Sequence, residues 1–201
     1  MDSNKNEISI EALRRGDRQE FARLVDAYSG PLHRLALKML GNEADAEDAL
    51  QNTFLKAFQH IREFEGRARL STWLYRIASN EALMQLRKRR PETPFTDSAA
   101  QDGDNSDFDP IQFTDWCCLP EEEFLTTESR AAQERAIQRL PETLRIVFVL
   151  RDIESLSIQE TSQALGLSET AVKTRLLRAR LRLREELSSY YGERIDKRSK
   201  K

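Results

Sequence analysis

Two adjacent cysteines, Cys117 and Cys118, and two histidines, His33 and His60, are the only cysteines and histidines in this 201-residue chain. Neighbouring cysteines cannot close an unstrained disulfide, and no finger-like spacing joins them to either histidine. A disulfide scaffold and a zinc module are therefore excluded, and reduced, incidental thiols are expected. With only 7 Gly and 6 Pro, long stretches carry no helix breaker. No apolar run approaches the length that spans a bilayer, and Met1 to Ile10 is polar, without the apolar stretch of a signal peptide. A cytoplasmic protein without membrane insertion is expected. There is no Gly-rich phosphate loop, metal-ligand cluster or Ser/His/acid set at interpretable spacing, so no enzyme activity, catalytic residue, cofactor or metal is expected.

Charge of one sign is also missing locally. Between Pro91 and Ser129 there is no Lys or Arg, while 11 of the chain's 34 acids fall there, so the remainder carries about +9 despite a formal net charge of -2. A solvated spacer would account for this segment. So would an acidic tether between two basic, polyanion-binding domains.

What is present is helical periodicity. Leu13, Phe21, Leu24, Val25, Tyr28, Leu32, Leu35, Ala36 and Met39 recur mostly at three- and four-residue steps, with Pro31 expected to kink or restart the helix. Gly41-Asn42 closes that segment, and Ala46, Ala49, Leu50, Thr53, Phe54, Ala57, Phe58 and Ile61 line a second face. After a polar loop, Ser71 is expected to cap a third helix carrying Trp73, Leu74, Ile77, Ala78, Ala82, Leu83 and Leu86, which ends in the basic run Arg87 to Arg90. Residues 91–120 read as a linker, and periodicity returns from Glu121, breaking at Pro141. The expected fold is all-α, with helical domains at 9–90 and 121–190 and a basic tail at 191–201.

Ser157 to Leu183 is the most informative stretch. Ser157 caps a short helix to Leu165, Gly166 permits a left-handed turn, and Ala171, Val172, Leu176, Leu177 and Ala179 recur on the inward side of a second helix. Ala164 is small where two helices would cross. This is a helix-turn-helix pattern. Its second helix would present Ser168, Thr170, Lys173, Thr174 and, if it turns outward, Leu177 to base edges, with Arg175, Arg178, Arg180 and Arg182 as phosphate anchors. The bland alternative is an amphipathic helix pair with a solvated basic face.

The run LPETLRIVFVLRDIESLSIQETSQALGLSETAVKTRLLRARLRLREEL resembles the C-terminal, -35-reading domain of extracytoplasmic-function sigma factors, including its LP-x-x-x-R opening. In the same family's order, GDRQEFARLVDAY, ADAEDALQNTFLKAFQHI and FEGRARLSTWLYRIASNEALMQLRKRR resemble its promoter-melting domain. The resemblance implies that Asp45, Asp48, Gln51 and Asn52 grip the clamp helices of the polymerase largest subunit, although the family usually has Glu where this chain has Asn52. It implies recognition of the -10 box by Phe64, Arg67, Asn80, Arg87, Arg89 and Arg90, since unstacked bases are held by aromatic faces, amides and cations. Trp73 is assigned rather to the core. The implied partners are core RNA polymerase, through the clamp helices and the flap of the second-largest subunit, promoter DNA, and an anti-sigma factor. A free-standing helix-turn-helix regulator and a protein-docking module are the alternatives.

Overall fold

The computed structural model of the chain describes residues 8–89 and 127–199, with side chains described to residue 188. All regular elements among them are helical. The expected linker, Cys117, Cys118 and Arg90 lie outside the described residues.

The N-terminal domain begins with α1 (Ile10–Arg15) and α2 (Arg18–Leu40), joined at Gly16, whose φ of 82° lets the chain reverse direction. Asp17 starts α2 by accepting the Gln19 and Glu20 N–H groups. Helix α2 continues through Pro31 as one helix of 23 residues, without the restart the proline could impose. Proline costs an interior helix about 3 kcal/mol. Leu24 before it and Leu32, Leu35 and Met39 after it are almost fully buried, and burying four such side chains contributes more than that cost.

Gly41 (φ 67°) ends α2, and Asn42 accepts the Asp45 N–H to begin α3 (Glu43–His60). A single 3-10 turn (Ile61–Glu63) and a loop lead to α4 (Leu70–Arg89), which starts one residue before the expected Ser71 cap. Helices α2, α3 and α4 pack on one another around Leu24, Leu35, Met39, Ala57, Leu74 and Ala78. Phe58, expected on the inner face of α3, is instead 50% exposed, with its ring edge-on to Phe21 at 5.1 Å.

The C-terminal domain holds α5 (Thr127–Arg139), α6 (Glu142–Phe148), a π-helical turn (Val149–Ile153), α7 (Ile158–Leu165) and α8 (Glu169–Ser199). The expected basic tail is thus the end of one long helix. Ala136, Ile137, Leu140, Leu144, Ala179 and Leu183 form the core between α5, α6 and α8. Arg145, the arginine of the LP-x-x-x-R opening, is 8% exposed. Its guanidinium donates to the carbonyls of Gln138 and Leu140 at the end of α5 and of Met39 at the end of α2. A cation where two helix C-termini converge satisfies carbonyls that have no partner within their helices. Burial lowers its pKa, against the pull of Glu142 and Glu134, but a guanidinium remains charged in proteins. The two domains meet where α4 packs on α7 and where α2 packs on α5, α6 and the π turn.

Candidate nucleic-acid and polymerase interfaces

The helix-turn-helix is built as its local sequence dictates. Ser157 Oγ accepts the Glu160 N–H at 3.1 Å while the Glu160 carboxylate accepts the Ser157 N–H at 2.8 Å. Gly166 turns the chain with φ 65°, and the Ser162 hydroxyl donates to the Leu167 carbonyl at 2.6 Å. Thr161, Ala164, Val172 and Leu176 are buried between the two helices. The Ser157 bonds, and then Arg69, hold the Glu160 carboxyl below its ordinary value of 4.5. Because the folded value is the lower one, this cap contributes fully above the unfolded glutamate range and is lost as pH falls through the folded value. Amide-exchange protection at Ser157 and Glu160, corrected for intrinsic rate, is expected to fall as pH drops below 4.5. A Glu160→Gln variant, which does not titrate, should lose less.

Thr170, Lys173, Thr174 and Leu177 are exposed on one side of α8 and Ser168 is exposed just before its first residue, with Arg175 and Arg178 half-buried at the flanks. Ser168 Oγ accepts the Ala171 N–H and the Thr174 hydroxyl donates to the Thr170 carbonyl, so both hydroxyls also serve the helix. Leu177 turns outward and is 59% exposed, an apolar tip suited to a thymine methyl. Arg180, expected as a phosphate anchor, grips Asp152 of the π turn in the free chain through two bonds at 2.7 and 2.8 Å and so braces α8. Asp152 holds this guanidinium above its ordinary value, chiefly by hydrogen bonding.

In the N-terminal domain a cavity of about 330 Å³ opens between the ends of α3 and the start of α4, lined by Lys56, His60, Glu63, Trp73, Arg76, Ile77, Asn80 and Glu81. Asn80 and Trp73 meet there. Arg76 and Lys56 bring the cations that the sequence reading missed, although Trp73, Arg76 and Asn80 stand at helical steps of three and four and so share a face. Lys56 is anchored on the buried Glu81 carboxylate. Trp73 packs against the core as expected but is only partly buried and also lines this opening, so an indole, an amide and cations surround a space that suits one unstacked base.

Other expected residues fall elsewhere. Phe64 is 5% exposed, its ring 5.2 Å from that of Trp73, and its carbonyl accepts Arg14, so it supports the loop from beneath and offers no free aromatic face. Arg67 is highly exposed in the loop beside Glu65, and Arg87 is exposed on α4. Arg89 donates to the Leu40 carbonyl and pairs with Asp45. Asp45 of the expected polymerase-gripping stripe and Arg89 of the expected DNA-binding set thus pair with each other in the free chain, where α2, α3 and α4 meet. Asp48, Gln51 and Asn52 are exposed as expected. The stripe continues into Leu55, 55% exposed, with Phe58 beside it.

Residues 24–92 match the Sigma-70 region 2 family and residues 131–183 match Sigma-70, region 4. The fold and its two faces thus define a two-region protein of the sigma-70 type. ECF RNA polymerase sigma factor SigW of Bacillus subtilis is 34% identical over 178 residues, covering 89% of this chain and 94% of the relative. RNA polymerase sigma-H factor of Pseudomonas aeruginosa is 32% identical (85% and 88% covered), and ECF RNA polymerase sigma-E factor of Escherichia coli is 30% identical (87% and 90%). The fold matches that of CnrH solved with the cytosolic domain of CnrY, with a TM-score of 0.65, 24% identity and coverage of 90% and 95%. It also matches sigma factor RpoE solved with the anti-sigma factor NepR from Bartonella quintana, at 0.60, 22%, and 84% and 97%. The chain belongs to the extracytoplasmic-function sigma factors, a non-catalytic family of transcription factors. No helix among the described residues is long and apolar enough to cross a membrane.

Proposed function

We propose that this chain binds core RNA polymerase in the cytoplasm, directs it to specific promoters and opens them by binding energy alone. The observation that carries the reading is the pairing of an outward-facing basic recognition helix with a separate amide- and indole-lined cavity, in domains that match the family's two regions in order. Ser168, Thr170, Lys173, Thr174 and Leu177 read the -35 duplex, and Arg175 and Arg178 flank them towards phosphate. Asn80, Trp73 and Arg76 hold an unstacked -10 base, with Lys56 at the cavity wall and Arg67 and Arg87 tracking the backbone. Asp48, Gln51, Asn52 and Leu55 dock the clamp helices. Residues 121–190 also meet the flap, and the acidic linker lies against basic polymerase walls until RNA phosphates displace it. An anti-sigma factor covers these faces when transcription is off.

Transcription by core polymerase with and without the chain, on a pool of promoter fragments, tests this reading. New discrete transcripts that share upstream boxes are expected. A chain that yields none and fails to co-purify with core would count against it. Leu55→Glu is expected to weaken core binding about tenfold or more, because a charge is placed in a desolvated contact. It should leave the melting temperature nearly unchanged, since Leu55 is exposed in the free chain.

A further inference from the structure

The contact between the two domains is apolar at its centre, where Val149, Leu150 and Leu156 join the core of α2 and α4. At its edge sits a carboxylate. The side chain of Glu154 is 2% exposed. It accepts Nε and Nη2 of Arg34 on α2 at 2.7 and 3.0 Å and the hydroxyl of Tyr75 on α4 at 2.9 Å. All these donors belong to the other domain. The next residue, Ser155, has φ 57°, the only positive value at a non-glycine among the described residues. Burial, then the Glu154 charge, raises the Tyr75 pKa, so the phenol stays a donor at physiological pH. Nearby, Arg69 of the loop before α4 donates to Glu160 at 3.1 Å. Thr72 and Ser79, one turn either side of Tyr75 on the same face of α4, are buried with hydroxyls that have no partner among the described residues. A permanent core seldom leaves such groups unpaired.

This arrangement cannot read a promoter. Boxes centred on -35 and -10 are about 25 base pairs apart, roughly 85 Å of duplex at 3.4 Å per base pair. The Arg69–Glu160 contact ties the -10 loop to a residue eight positions before Ser168, and even a fully extended chain of that length spans only about 29 Å. The two readers must separate before both can be filled.

We propose that the free protein is held closed and promoter-incompetent by a carboxylate latch, Glu154 gripped by Arg34 and Tyr75, and that activation breaks this latch. The functional half of the proposal rests on the promoter-reading assignment above. The latch itself does not.

The test is the distance between spin labels at Asp26→Cys and Glu185→Cys, both exposed positions in different domains, in a full-length chain with Cys117→Ser and Cys118→Ser. The parent should give one short, narrow distribution. Glu154→Lys and Arg34→Glu each place like charges face to face and should add a long, broad component. Losing a bond to a charged group alone shifts the open:closed ratio about ten- to a hundredfold, and the added repulsion shifts it further. The double variant, with opposite charges restored, should be less open than either single one. Unchanged circular dichroism keeps misfolding out of the result, since the Glu154 side-chain partners above all lie in the other domain. A parent already broadly open, or singles indistinguishable from it, or a double as open as the singles, overturns the latch. In a second arm, Glu154→Lys should bind core polymerase more tightly than the parent, because less free energy is spent on opening. If neither chain binds core, the promoter-reading assignment fails while the distance result still decides the latch. If both bind core equally, with the variant shown open, the functional half is overturned.

Discussion

A chain carrying Lys173→Glu and Arg178→Glu is expected to lose about a hundredfold or more of its promoter-specific transcription while binding core polymerase like the parent. Lys173 is exposed in the middle of the reading face and Arg178 flanks it near Leu177. Each good contact to a base edge contributes about 1–3 kcal/mol of discrimination, and each phosphate contact adds a counterion-release contribution. Reversing both charges removes those contributions and adds repulsion from the DNA backbone. Because neither residue lies in the α8 core of Val172, Leu176 and Ala179, the domain should still fold. Measured as promoter affinity of the holoenzyme against salt, the loss should come with a shallower salt slope. An equal loss of core binding would mean that the substitutions act on folding instead of on DNA.

Arg145→Met should lower stability by about 3 kcal/mol, one of the largest effects available to a single polar residue here. The substitution keeps most of the apolar stem but removes every donor to the Gln138, Leu140 and Met39 carbonyls, two of which end α5 and one α2. Carbonyls at buried helix ends left without donors cost free energy that a methyl group does not return. Thermal melting by circular dichroism reads this directly. The control is Arg139→Met, which loses only an exposed pair with Glu186 and should cost about 0–1 kcal/mol. Equal melting for the two variants would remove Arg145 from the junction's energetics.

These two cases mark what the sequence could and could not disclose. The helix-turn-helix was legible because its determinants are local: a Ser157 cap, Glu160 three residues later, Ala164, a left-handed Gly166 and an apolar face at helical spacing. The three long helices of the N-terminal domain were legible for the same reason. Residues whose role depends on a distant partner were not. No local pattern announces that Arg180 pairs with Asp152 or Asp45 with Arg89. The resemblance implies Phe64 for DNA, while its ring lies buried beside Trp73, where a bulky aromatic gains by burial. Pro31 passes inside α2 because tertiary packing on both sides outweighs a local preference. Exposure of Phe58 and Leu55 could not be read from periodicity, which orders residues around a helix but does not say where the packed arc ends.

On the proposed function, this protein reads promoters as part of a polymerase and not on its own. The direct measurement is equilibrium binding to a labelled promoter duplex, by the chain alone and by the chain with core polymerase, at physiological salt. Weak, sequence-indifferent binding by the chain alone and tight, sequence-specific binding once core is added are expected. Tight specific binding by the chain alone, unchanged by core, would contradict the proposed function and make this a free-standing regulator.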